Sequence, residues 1–165
     1  MIKTLSRTDK EIADIYERHI HTVYRVCFAY MKNSVDTEDA VQDTFVKMIR
    51  YRVAYENEEH EKAWLIRTAT NVCKDILKAW WRKRENIEDY SQLYGACGIE
   101  IDDTLKVVMG LPDKYKTVVY LYYYEGYTSV DIAEILHKPQ STIRNYLHEA
   151  RNVLRKELGS DFNEE

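Results

Sequence analysis

Glycine and proline are scarce in this 165-residue chain, with 5 Gly and 2 Pro. That is too little turn chemistry for the many short strands of a β-sandwich or barrel. Cysteine is sparse too: Cys27, Cys73 and Cys97 are odd in number, widely separated and form no CxxC pair. Neither a disulfide framework nor a zinc site is expected from them, and Cys27 and Cys73 read as buried thiols on apolar helix faces. The histidines (His19, His21, His60, His137, His148) lack HExxH or comparable spacing, so no metal and no other cofactor is expected. The opening stretch, MIKTLSRTDKEIADIYER, has no apolar run of signal-peptide length, and no run anywhere is long enough to cross a bilayer. The expectation is a soluble, cytoplasmic protein without direct membrane insertion. A carboxylate cluster, a nucleophile–base pair and a phosphate loop are all missing, which argues against catalytic residues, a small-molecule substrate and a helical enzyme.

What is present is helix. The chain is 45% hydrophobic and 32% charged, enough apolar material for real cores in one medium domain or two small helical ones. Ile12, Ile15, Tyr16, Val23, Val26, Cys27 and Tyr30 recur at helical spacing up to Met31. Lys32-Asn33-Ser34 breaks the pattern, with Ser34 or Asp36 as caps for a second helix from about Thr37 to Tyr51. That helix turns Val41, Phe45, Met48 and Ile49 inward and Glu38, Asp39, Gln42 and Asp43 outward. After a polar stretch bearing Tyr55, a third helix runs from about Glu61 to Arg84 on Leu65, Ala69, Val72, Cys73, Ile76, Leu77 and Trp80. Its end is basic, where the helix dipole favours cations. Residues 85–101, with Gly95 and Gly98, read as a linker.

The last third is more sharply written. Asp102 or Asp103 caps a helix bearing Leu105, Val108 and Met109, and Pro112 suits the first turn of the next. That helix stops at Gly126, in the left-handed position expected after a helix end. Thr128 and Asp131 have capping-box spacing, and Ile132, Ala133, Ile135 and Leu136 follow as a buried face. His137-Lys138-Pro139 is a three-residue break before a final helix striped with Ile143, Leu147, Ala150, Leu154 and Leu158. A short helix, a tight break and a longer helix have the shape of a helix-turn-helix. Gln140, Ser141, Thr142, Arg144, Asn145 and His148 lie near the start of the second helix, where side chains reach base edges. Arg151 and Arg155 lie further along, in better reach of phosphate.

These residues resemble a known family across nearly the whole chain. Leu111-Pro112-Asp113-Lys114-Tyr115, then Glu125 to Leu136 and Ser141 to Arg151, are similar to the promoter-binding C-terminal domain of extracytoplasmic-function (ECF) sigma factors, a group of the sigma-70 family. Asp39-Ala40-Val41-Gln42-Asp43-Thr44-Phe45 resembles the family helix that docks on the polymerase clamp. Trp64 to Asp75 resembles the helix that reads and opens the −10 promoter element. The resemblance implies an all-α protein of two helical domains. Residues 8–84 would bind core RNA polymerase and the −10 element, and residues 102–158 would bind the −35 element. Its partners would be core RNA polymerase, promoter DNA and an anti-sigma factor. It places Glu38, Asp39, Gln42 and Asp43 against a basic surface of polymerase, and Tyr55, Asn71, Asp75 and Lys78 at the −10 element. Asn71 and Asp75 are four apart, so one strand can meet both, and an aromatic at Tyr55 would help hold a base out of the duplex. Trp64 is expected in the core.

Three departures from the family pattern stand out. Glu56 and Asn57 follow Tyr55 where a basic residue and glycine are common. Thr70 replaces a frequent arginine, removing one possible phosphate contact. His137 takes the place of a turn glycine, and histidine tolerates the left-handed region better than β-branched residues do.

A formal net charge of −4 by itself opposes a DNA partner. The charge is uneven, however. Residues 36–61 hold eight acids (Asp36, Glu38, Asp39, Asp43, Glu56, Glu58, Glu59, Glu61) and three bases (Lys47, Arg50, Arg52). Residues 74–84 hold five bases (Lys74, Lys78, Arg82, Lys83, Arg84) against Asp75. Counterion release depends on the face shown to phosphate and not on the whole-chain total. The rival reading is a stand-alone helix-turn-helix regulator binding a palindrome as a dimer; the Asn71/Asp75 helix with its basic end argues against it.

Overall fold

The computed structural model describes residues 7–83 and 101–158, so the expected linker at 85–101 lies outside the described residues except for Ile101. The chain divides into two compact units, Met1–Ile101 and Asp102–Glu165, and both are helical throughout their described elements.

In the first unit, helices α1 (Asp9–Met31), α2 (Ser34–Tyr51) and α3 (Glu58–Lys83) pack pairwise around one core. A complete capping box starts α1: the Thr8 hydroxyl accepts from the Glu11 N–H, and the Glu11 carboxylate accepts from the Thr8 N–H at 2.7 Å. Lys32 closes α1 in the left-handed region, φ 66°. The cap of α2 is Asn33, not Ser34 or Asp36. Its backbone is still extended and its side chain accepts from the Asp36 N–H at 2.9 Å, whereas Ser34 is already helical. Likewise α3 begins three residues earlier than its apolar pattern indicates, because Asn57 accepts from the His60 N–H at 2.8 Å.

The core of this unit is Tyr24, Phe28 and Val23 of α1, Met48 of α2, and Leu65 and Ile66 of α3, all fully buried. Ile49, expected inward, is 44% exposed. One residue past Met48, it is swung about 100° off the inward stripe. Tyr16 is also partly exposed and lies against Phe45, ring centroids 4.9 Å apart. Cys27 and Cys73 are buried free thiols. Burial, then the neighbouring Cys73, pushes the Cys27 thiol well above its usual value, which keeps it protonated and unreactive.

In the second unit, α4 (Asp103–Met109) is capped by Asp102, whose carboxylate accepts from the Leu105 N–H at 2.8 Å. Pro112 stands at the cap position of α5 (Asp113–Val119), one residue before the first turn expected for it. This helix runs straight into a π-helical turn, Tyr120–Tyr124. Gly126 then reverses the chain at φ 78°, a conformation that costs glycine nothing. Helix α6 (Ser129–Leu136) opens on the capping box of Thr128 and Asp131 and closes on His137 at φ 53°, ψ 47°. Helix α7 (Gln140–Leu158) follows at once, packed by both α5 and α6. Ile143, Leu147, Ala150 and Leu154 form its buried stripe, facing Ile132 of α6. Ala133, Ile135 and Leu136, expected to be buried, are only half so, because so short a helix offers a single turn to α7.

Candidate polymerase and nucleic-acid interfaces

Exposure on α2 and α3 sorts the polar residues into stripes. Asp39, Gln42 and Asp43 are exposed along one side of α2, while Glu38 is half-buried at the stripe's edge. The same side carries Val46 at 42% exposure, followed by Ile49. An acidic face thus passes into an apolar one within two turns. On α3, Asn71, Asp75 and Lys78 are all exposed at i, i+4, i+7 spacing, opposite the buried Leu65, Ala69, Val72 and Cys73. A groove of about 270 Å³ between the helices is lined by Asp43, Val46, Lys47, Arg50, Val72, Asp75 and Ile76. It brings Asp43 and Asp75, which sequence separates into a polymerase face and a DNA face, to the same depression. Thr70 is buried and its hydroxyl donates to the Ile66 carbonyl at 2.8 Å. Its hydroxyl is turned into the core and is not offered to a phosphate.

Tyr55 sits in the α2–α3 connection, half-buried among aromatic neighbours. Its ring centroid lies 5.8 Å from that of Trp64 and 5.7 Å from that of His60. The Arg7 guanidinium lies 4.8 Å from the ring centre, and Arg7 also donates to the Val53 carbonyl. The Tyr55 hydroxyl is buried and has no hydrogen-bond partner among the described residues. Burial pushes its pKa up to about 12, with Arg7 pulling it down and Glu61 pushing it up. A cavity of about 380 Å³ opens beside it, lined by Arg7, Glu11, Asp14, Ile15, Arg18, Ala54, Tyr55, Asn57, Glu58 and Glu61. Trp64, expected in the core, is half-buried and forms one wall of the cluster with Tyr51.

Beneath this loop lies a polar tie that sequence reading misses. Glu61, in the first turn of α3, is buried at 6% exposure. One of its carboxylate oxygens accepts from Arg18 Nη2 at 3.0 Å and Nε at 3.2 Å, and meets His19 Nε2 at 2.6 Å. This pins α1 to the start of α3 and so fixes the base of the Tyr55 loop. Three charged or titratable residues in two separate polar stretches give no local sign of the pairing.

In the second unit, Ser141, Arg144, Asn145 and His148 are exposed at the start of α7. Gln140 and Thr142 are half-buried, and Gln140 spends its amide on the Ser129 hydroxyl at 3.3 Å, tying α7 to α6. Arg155 is exposed, whereas Arg151 is half-buried. On the other flank of α7, Tyr146 packs edge-on against Tyr115, whose hydroxyl donates to Glu149. Among the described residues no group of three or more His, Cys, Asp or Glu is arranged to hold a metal ion. No helix of the described residues is long and apolar enough to cross a membrane.

The architecture has known counterparts. Residues 15–86 match the family model described as Sigma-70 region 2, and residues 102–154 match that described as Sigma-70, region 4. The chain is 30% identical over 145 residues to the RNA polymerase sigma factor SigV of Bacillus subtilis (strain 168), covering 85% of this chain and 86% of that one. It is 28% identical over 176 residues to the ECF RNA polymerase sigma factor SigW of the same organism, covering 95% and 94%. Among solved structures it is similar to the sigma factor RpoE in complex with the anti-sigma factor NepR from Bartonella quintana. The TM-score is 0.73 at 22% identity, covering 92% of this chain and 99% of that chain; at that identity the likeness speaks to the fold.

Proposed function

The chain belongs to the extracytoplasmic-function group of the sigma-70 family of RNA polymerase sigma factors, and from that membership we propose a division of labour between its two units. As a sigma factor it starts transcription by binding core RNA polymerase and promoter DNA. The first unit docks on polymerase and opens the −10 element, and the second reads the −35 element. It acts in the cytoplasm, by binding and not by catalysis: it adds promoter contacts that core polymerase lacks and exchanges them for strand separation. An anti-sigma factor is its expected regulator, on the pattern of the RpoE–NepR complex.

The observation that carries this reading is the order of two matched regions, 15–86 and then 102–154, each bearing an exposed polar stripe on an amphipathic helix. On α2, Asp39, Gln42 and Asp43, with Glu38 at the margin, meet a basic polymerase surface. Opposite charge sets register and speeds encounter there, and the adjoining Val46 and Ile49 supply apolar area. On α3, Asn71 and Asp75 read one strand of the −10 element while Lys78 meets its phosphates. Tyr55 lines a cavity able to take a displaced base; with Arg7 over its ring, a base must enter beside that arginine or displace it. On α7, Ser141, Arg144, Asn145 and His148 enter the major groove. Gln140 and Thr142 sit at the turn and support them, and Arg151 and Arg155 meet phosphate.

Charge reversal at both Asp39 and Asp43 tests the docking surface. Core-polymerase affinity is expected to fall at least about tenfold, with the larger part in the association rate, while helical content stays unchanged. Unaltered affinity in a core-binding titration would remove α2 from the interface.

A further inference from the structure

Arg144, His148, Arg151 and Arg155 recur along one side of α7, and Arg151 is held there by two tyrosines. Its Nε donates to the Tyr123 hydroxyl at 2.9 Å, and its guanidinium carbon lies 5.9 Å from the centre of the Tyr122 ring. The two tyrosines meet edge to face, centroids 4.9 Å apart and planes at 74°. They are neighbours in sequence, and in an α-helix neighbouring side chains point about 100° apart.

Both tyrosines lie in the π-helical turn. The Glu125 N–H donates five residues back to the Tyr120 carbonyl at 3.2 Å. The wider turn reduces the angle between successive side chains. It is also braced from within: the Tyr120 and Tyr124 rings stack at 5.0 Å with planes 17° apart, and the Tyr120 hydroxyl donates to the Glu125 carboxylate at 2.7 Å. Tyr120 and Leu121 are buried beneath it, while Tyr123 is 42% exposed. A π turn costs good helical geometry, and such turns concentrate at functional sites. A planar guanidinium held through an N–H and lying over a ring gives up less side-chain freedom when it meets a ligand.

We propose that Tyr123, together with Tyr122, is a positioning residue for promoter binding, holding Arg151 ready for a backbone phosphate beside the −35 element. The proposal rests on the assignment of Arg151 to phosphate made above. It adds the π turn to the DNA-binding apparatus, although that turn does not enter the groove. Because a phosphate contact is blind to base identity, the effect falls on affinity and its salt dependence and leaves base preference alone.

The test uses holoenzyme reconstituted from core polymerase and the full chain, titrated onto promoter duplex across a salt series. The variants are Arg151→Ala, Tyr123→Phe, their double mutant and Arg151→Lys. Arg151→Ala is expected to weaken binding about threefold to tenfold and to reduce the log–log salt slope by about 0.9, one phosphate's worth. Tyr123→Phe, which removes the acceptor oxygen and keeps the ring, should produce part of that loss, about twofold to fourfold. Adding it to Arg151→Ala should cost nothing more. Arg151→Lys keeps the charge but loses the planar Nε donor, and should match Tyr123→Phe. Wild-type binding by Arg151→Ala would remove the phosphate assignment itself. Weakening by Arg151→Ala with none from Tyr123→Phe would leave that assignment standing and overturn the positioning role. So would a full Tyr123→Phe loss in the Arg151→Ala background. If Tyr123→Phe does not fold, Arg151→Lys decides alone, and wild-type affinity there would show that charge suffices without the tyrosine hold.

Discussion

Both units of this chain are amphipathic helices packed on their apolar faces, yet they hold their functional side chains by different means. In the second unit, short-range rules set the frame, and long-range ties such as that of Tyr123 to Arg151 are added to it. The capping box of Thr128 and Asp131 starts α6, His137 in the left-handed region stops it, and Pro139 launches α7 two residues later. Each signal lies within a few residues of what it controls, and together they set which face of α7 is exposed. In the first unit the side chains that frame the Tyr55 loop are joined over more than forty positions: Glu61 to Arg18 and His19, and Arg7 to Tyr55 and the Val53 carbonyl. A site assembled locally tolerates the loss of one element in small steps. A site assembled by long-range polar ties should fail abruptly when one tie is cut.

The largest expected effect therefore lies at Glu61. Glu61→Gln takes the charge from a buried carboxylate that meets buried His19 and the more exposed Arg18, and should cost about 2 kcal/mol of unfolding free energy. Urea denaturation of the full chain measures it, and a loss below about 1 kcal/mol would mean that the tie is no more than a surface ion pair. A smaller loss is expected in the second unit. Thr128→Ala removes one cap acceptor from α6 and should cost about 1 kcal/mol, read from the transition of that unit. Were this loss as large as that at Glu61, the contrast between the units would collapse. Smallest of all is Tyr55→Phe. It deletes a buried hydroxyl that has no partner among the described residues, so stability should hold or rise by up to about 1 kcal/mol. A clear drop would reveal a partner for that hydroxyl and a more tightly built loop.

The same contrast explains how much could be read from the sequence. The helix-turn-helix, its break at His137-Lys138-Pro139 and the buried stripe Ile143, Leu147, Ala150 and Leu154 are local and periodic, and the structure has them where the pattern puts them. The three helices of the first unit were legible for the same reason, through the spacing of their apolar residues. Errors fell at ends and edges. Asn33 and Asn57 took the capping roles because a cap depends on one residue's backbone, which apolar spacing does not reveal. Ile49 is hydrophobic but sits past the edge of its stripe. The buried role of Glu61 was illegible because a carboxylate in an acidic stretch looks like a solvated face until its partners on α1 are known. The π turn was hidden in a run of tyrosines that reads equally well as ordinary helix, so the hold of Tyr123 on Arg151 had no signature at all.

The central claim is that the two units read different parts of one promoter for a shared polymerase. Transcription from a promoter library randomised at both elements tests it most directly, using core polymerase with the wild-type chain, Arg144→Ala, and the Asn71→Ala/Asp75→Ala pair. Arg144→Ala should relax one or two −35 positions by about 1–3 kcal/mol of discrimination and leave −10 preference intact. The Asn71/Asp75 pair should alter −10 preference and open-complex formation and leave −35 preference intact. If Arg144→Ala lowers output uniformly with the −35 preference unchanged, or if the chain selects dyad-symmetric DNA without polymerase, the division of labour is contradicted.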